Sequence, residues 1–159
     1  LQGFGCTVLA WNRTPRHMDG VQMVELDELF ARSDIVSLHT AMTPETTHIA
    51  DRGRLASMRA GAALINTGRG LLVDEAALIE EVSAGRLNAG LDVFSVEPLR
   101  SGHLFSNQEN VVLLPHVGSA TASTRLAMVN RALENLHAGM AGQALPYCAN
   151  PEVYPISDS

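Results

Sequence analysis

The chain alternates short apolar runs with helical stretches, and several of those runs end in a polar turn. Strands that alternate with helices imply right-handed crossovers and a parallel sheet covered on both faces. Three endings stand out: INTGRG at residues 65–70, GLDVFSVEP at 90–98 and LLPHVGSAT at 113–121. Each holds one residue suited to chemistry, namely Arg69, Glu97 and His116. In open parallel sheets, ligands bind beyond the carboxyl ends of the strands. Strands lying side by side would therefore deliver all three side chains to one edge. An arginine, a carboxylate and an imidazole gathered there suit an acidic carbonyl substrate.

The remaining pattern supports this layout. Strands are expected at residues 6–11, 34–39, 62–66, 88–94 and 111–114. Helices are expected at 26–31, opened by the acidic Glu25 and Asp27, and at 52–58, ending near Gly61. Pro44 is placed to begin a helical turn. Asp74 fits the N-cap of a helix that runs to Ser83 and stops at Gly85. Thr121 or Ser123 is expected to cap a last helix reaching about Ala138, followed by an irregular, proline-rich tail from Pro146.

Composition excludes several classes. The chain has 159 residues, enough for a real core. Its formal net charge is −6 and no lysine- or arginine-rich stripe is visible, so no nucleic-acid partner is expected. No apolar run reaches the roughly 18 residues of a membrane span. Cys6 and Cys148 lack metal-ligand spacing and read as free thiols in a reducing compartment, hence a cytoplasmic expectation with no metal site. The chain opens on Leu1 without a visible signal peptide, and LQGFG reads as the end of a helix. Leu1 is thus expected to lie inside a longer protein.

INTGRG, GLDVFSVEP and LPHVGSAT, in that order, resemble the D-isomer-specific 2-hydroxyacid dehydrogenases, a family that includes glyoxylate and hydroxypyruvate reductases. The resemblance runs from the first strand to about Pro151. It implies an α/β, doubly wound parallel sheet of the Rossmann-like dinucleotide-binding kind. No GxGxxG occurs, so the first strand, the Gly-rich loop and the first helix of that fold are expected to be lacking. Residues 1–122 would form a partial NAD(P)-binding domain. Residues 123–159 would form a helix and tail that pack on a substrate domain, leaving Met128, Leu136 or Met140 exposed in its absence.

The resemblance implies reduction of a 2-oxo acid to a D-2-hydroxy acid, and the reverse, with NADH or NADPH. Arg69 can grip the substrate carboxylate with a planar fork of donors and polarise the carbonyl. His116 is the proton donor to the developing alkoxide. Glu97 can fix the imidazole and favour its protonated form. The related formate dehydrogenases typically carry glutamine at that place, so Glu97 argues against that branch. The other histidines, His17, His39, His48, His103 and His137, read as structural or exposed.

The sequence after the first strand, WNRTPR, addresses the cofactor. An acidic residue there would bind the ribose hydroxyls and repel a 2′-phosphate. Asn12 removes that repulsion, Arg13 can pair with the phosphate, and Thr14 can hydrogen-bond it, with Arg16 assisting. NADP is therefore favoured over NAD. By motif position, Thr40, Thr67, Gly68, Arg69 and Asp92 are further cofactor contacts, Asp92 at the nicotinamide carboxamide. His116 and Gly118 would line the nicotinamide pocket. The expected partners are a small 2-oxo or 2-hydroxy acid and a second copy of the full-length protein. A dinucleotide-sensing binding protein of the corepressor type, sharing the same fold, is the alternative.

Overall fold

The strand Ala63–Asn66 (β4) lies inside a four-stranded parallel sheet. Its order is Ile35–Leu38 (β3), β4, Asn88–Leu91 (β5) and Val111–Leu113 (β6). This is a computed structural model, and it describes residues 1–14 and 16–153. Two earlier strands, Val8–Ala10 (β1) and Val21–Met23 (β2), pair in parallel as a separate two-stranded sheet. Chain contacts divide the molecule into a unit of residues 1–117 and a second unit from Gly118 onward.

The register explains the core of the first unit. Val36, Leu64, Ala89 and Val111 stand in one row across the larger sheet, and Leu38, Asn66, Leu91 and Leu113 in the next. Side chains alternate faces along a strand, so both rows share one face. The helices Leu26–Arg32 (α1), Arg52–Ser57 (α2) and Glu75–Ser83 (α3) bury Phe30, Leu55, Leu78 and Val82 in the same cluster. Each fully buried leucine or phenylalanine contributes roughly 1.5–3 kcal/mol relative to exposure.

The arrangement is α/β, with parallel strands and flanking helices, of the Rossmann-like kind. Coverage differs between the two faces. The face expected to be covered as well carries Ile35 and Val112, 68% and 65% exposed. The physical reason is that α1, α2 and α3 all send their buried apolar residues to one cluster.

Local signals placed most elements. Asp74 accepts the Ala77 N–H at 3.0 Å as the cap of α3, and Gly85, just past its end, has φ 69°. The segment LQGFG is a 3-10 turn, Gln2–Phe4, closed by Gly5 at φ 75°. Residues 44–48 form a turn in which the Thr47 N–H reaches the Thr43 carbonyl at 3.0 Å. All five expected strands are shorter than anticipated, two of them by about half. β5 ends at Leu91, because Asp92 and the residues after it turn to build a loop, and β1 covers only Val8–Ala10 of residues 6–11. β2 was not expected at all.

In the second unit, Thr121 caps the helix Ala122–Met140 (α4), accepting the Thr124 N–H at 3.2 Å. Asn135 exchanges hydrogen bonds of 3.1 and 3.0 Å with the Tyr147 backbone, and the Arg131 guanidinium lies 5.1 Å from the Tyr147 ring centroid. As expected, Met128, Leu136 and Met140 are exposed, Met140 by 80%. The tail contains a further 3-10 turn, Pro151–Val153, and residues 154–159 lie outside those described. Among the described residues, no helix is long and apolar enough to cross a membrane. Cys6 and Cys148 are free thiols.

Candidate active site

The first turn grows from the end of β4. Asn66 is almost fully buried, and its amide spans the turn. Its oxygen accepts the Gly68 N–H at 3.1 Å, and its nitrogen donates to the Arg69 carbonyl at 2.9 Å. Buried amides are costly to leave unpaired, so this clamp defines the turn. Arg69 is exposed and its guanidinium donates to the Gly68 carbonyl at 2.7 Å. Gly70 then packs against the backbone of Phe94 and Ser95, where a side chain could not fit.

The second turn follows β5 and brings Glu97 back on itself. One carboxylate oxygen, Oε1, accepts the Phe94 N–H at 3.0 Å. The other, Oε2, lies 2.7 Å from Nδ1 of His116. The third turn follows β6, whose register continues through a 2.9 Å bond from the Leu114 N–H to the Leu91 carbonyl. His116 adopts φ 54°, a left-handed conformation uncommon for a residue with a side chain. The next amide, Val117 N–H, donates to Oδ1 of buried Asp92 at 2.8 Å. His116 is thus held on its ring by Glu97 and along its backbone by Asp92.

The electrostatics are consistent with this geometry. The hydrogen bond from His116 is the foremost cause holding the Glu97 carboxyl below its usual range, followed by the Phe94 N–H. The charges of His116 and Arg69 act in the same direction. Arg69 therefore lies near enough for its charge to act on Glu97. With Glu97 ionised, Nδ1 is the donor to it, which leaves Nε2 as the nitrogen for proton exchange. The pair remains open to solvent, with the His116 and Glu97 side chains 48% and 35% exposed. Beside it lies a cavity of about 540 Å³, polar at Glu97 and His116 and apolar at Phe94, Leu99, Leu113 and Leu114.

A second cavity, of about 440 Å³, lies at the end of β1 and is lined by Trp11, Asn12, Arg13, Val24, Glu25 and Glu28. Asn12 donates its amide to the Thr14 carbonyl at 2.8 Å, so it shapes the turn that exposes Arg13 and Thr14. Glu25 and Glu28 were not anticipated there. Glu28 is paired with Arg32, which offsets its charge. Thr40, at the end of β3, has a buried hydroxyl with no partner among the described residues. A buried hydroxyl without a partner, a guanidinium and an amide are groups able to hydrogen-bond a dinucleotide. Thr67 is exposed and Gly68 half-buried on the Arg69 turn. Gly118 opens the second unit.

Asn66 was visible in INTGRG without any sign of its clamping role. The expected structural histidines have local partners or exposure: the His39 ring meets the Ser37 hydroxyl at 2.8 Å, and exposed His17 lies 3.2 Å from Asp19. Among the described residues no cluster of side chains is arranged to hold a metal ion.

Comparison with known proteins agrees with these features. Residues 1–118 match the family described as D-isomer specific 2-hydroxyacid dehydrogenase, NAD binding domain. A glyoxylate/hydroxypyruvate reductase B from Serratia proteamaculans is 43% identical over 157 residues, covering 95% of this chain and 48% of the relative. The crystal structure of TT0316 protein from Thermus thermophilus superimposes with a TM-score of 0.86 at 44% identity, over 91% of this chain and 46% of that one. An NADPH-dependent glyoxylate/hydroxypyruvate reductase from Sinorhizobium meliloti, solved in complex with NADP and malonate, gives a TM-score of 0.85 at 33% identity, over 94% and 48%. The chain spans about half the length of the curated relatives it matches. With its NAD-binding domain matched over residues 1–118, the chain belongs to the D-isomer specific 2-hydroxyacid dehydrogenase family.

Proposed function

We propose that the protein carrying this chain is an NADP-preferring oxidoreductase that reduces a small 2-oxo acid, such as glyoxylate or hydroxypyruvate, to a D-2-hydroxy acid. The observation that carries this reading is the 2.7 Å contact between His116 and Glu97, within the field of Arg69. It supports reading His116 as a proton donor and Arg69 as a carboxylate-binding cation at one sheet edge. The names of the relatives, and the NADP complex of one of them, support the same class.

Arg69 binds the substrate carboxylate through paired N–H donors and draws electron density from the adjacent carbonyl. His116, protonated on both nitrogens, donates from Nε2 to the oxygen that becomes the hydroxyl, a contribution typically of about 10²–10⁴ in rate. Glu97 keeps the ring oriented and balances its charge. A bound nicotinamide supplies the hydride. Arg13 and Thr14 hold the 2′-phosphate, with Asn12 shaping their turn and Arg16 assisting. Thr40, Thr67, Gly68, Asp92 and Gly118 contribute the remaining cofactor contacts.

The test is turnover of the intact protein carrying this chain, followed as loss of NADPH absorbance with glyoxylate and with hydroxypyruvate. NADPH should give a higher kcat/KM than NADH. Cofactor binding with no turnover across a panel of 2-oxo acids would refute the enzymatic reading in favour of a dinucleotide sensor.

A further inference from the structure

Glu75 is the first residue of α3, yet it does not cap that helix. Asp74 already does so, through the Ala77 N–H. The Glu75 carboxylate leaves the helix instead and meets two distant segments. Its Oε2 accepts the Ser95 N–H at 3.0 Å, and its Oε1 lies 3.3 Å from Nε2 of His103. The Glu75 and His103 side chains are only 20% and 23% exposed, so water competes weakly for these contacts.

The hydrogen positions on His103 follow from its neighbours. Its Nδ1 accepts the Phe105 N–H at 3.4 Å. The ring proton therefore sits on Nε2, the nitrogen 3.3 Å from Glu75 Oε1. Glu75 thus lies against His103 on one side while it holds the Ser95 amide on the other.

Ser95 belongs to the turn that positions Glu97. The Phe94–Ser95 peptide is gripped twice, by Gly70 packed on it and by Glu75 at its N–H. The preceding amide, Phe94 N–H, is the one that binds Glu97. Freeing the Ser95 amide releases the peptide adjoining that anchor. A charged acceptor suits this task, since hydrogen bonds to ionised groups are roughly twice as strong as neutral ones.

We propose that Glu75 is a positioning residue for the His116–Glu97 pair, acting through the Ser95 amide. The inference rests on the reading of His116 and Glu97 as the proton-handling pair. A competing role for Glu75 is simple complementation of the α3 dipole. That role alters stability alone, whereas positioning alters how His116 titrates. The charged groups acting on Glu97 are His116 and Arg69, both left in place when Glu75 is replaced.

The experiment is an NMR titration of the His116 ring in the intact protein carrying this chain, comparing wild type, Glu75→Ala, Glu75→Gln and Glu97→Gln. Loss of the Glu97 charge should move the His116 midpoint to lower pH. Glu75→Ala should move it in the same direction. Glu75→Gln should give a smaller displacement, because its amide oxygen can still accept from Ser95 but as a weaker, uncharged acceptor. It is also the readable variant if Glu75→Ala fails to fold. Asp51→Ala, which removes the cap of α2, should leave the midpoint unchanged and so controls for lost stability. A displaced midpoint in Glu97→Gln, with wild-type midpoints in both Glu75 variants, overturns the positioning role. An unmoved midpoint in Glu97→Gln overturns the proton-handling reading itself, and the positioning role with it.

Discussion

Replacing Gly70 by alanine tests whether the Arg69 and Glu97 turns are mechanically joined. A Cβ at Gly70 would lie 1.9 Å from the carbonyl carbon and oxygen of Phe94 and 2.4 Å from the Ser95 nitrogen. That is about 1.5 Å short of ordinary van der Waals contact. All three atoms are backbone, so no side-chain rotation relieves the clash. The turns must separate, and the cost belongs at the upper end of overpacking, about 3 kcal/mol. For a chain of this size that lowers Tm by roughly 6–12 °C, readable by circular dichroism. Gly68→Ala is the internal control: its nearest contact is a flexible Leu72 methyl at 3.2 Å, so its Tm should fall by about 3 °C or less. In the intact protein, displacement of Arg69 relative to Glu97 by about an ångström should lower kcat/KM on the order of 100-fold. A Gly70→Ala protein with the Tm and turnover of wild type would refute the contact.

Further outcomes follow from the same geometry. Glu97→Gln removes the negative partner of His116, so the protonated ring is lost at lower pH and the pH–rate profile for reduction moves toward acid. An unchanged profile would refute the role given to Glu97. The Glu97 carboxyl is held below its ordinary range, so its stabilising contribution is fully present above that range and is lost as pH falls through the lowered value. The difference in Tm between wild type and Glu97→Gln should therefore narrow in acid. Arg69→Ala should abolish most of kcat/KM, and Arg69→Lys should restore little of it because a single ammonium cannot make the paired contact. Asn66→Ala leaves the Gly68 N–H and the Arg69 carbonyl without their partner. It should cost about 1–3 kcal/mol in chemical denaturation and slow turnover.

Much of the scaffold is legible along the sequence because its signals are local. Asp74 and Thr121 announce their helices through side chains that bond amides three residues on. The longer strands declare themselves by β-branched and leucine-rich runs. β2 escapes because its three residues, with a glutamine at the centre, carry too little pattern. Its existence depends on pairing with β1, which is a tertiary fact. The site divides the same way. Arg69, Glu97 and His116 stand out by residue type and by their place after strands. Asn66 reads as the polar end of a strand, and only its burial reveals the clamp. Glu75 reads as an ordinary acid in a first helical turn, since Ser95 and His103 lie in a later loop. The left-handed backbone of His116 has no sequence signature, because even histidine, enriched there among residues with side chains, adopts it only occasionally.

The division of labour between the two oxygens of Glu97 bears on how such a site can change in evolution. Oε1 serves the fold, at Phe94, and Oε2 serves the imidazole. A glutamine could keep the first bond with its oxygen and turn its NH₂ toward Nδ1. The loop would stay closed while the ring was fixed as a neutral acceptor on that side. Scaffold and proton inventory are therefore separable here by a single exchange of oxygen for nitrogen. A lineage could abandon acid–base work for chemistry that moves no proton without first rebuilding the edge of its sheet.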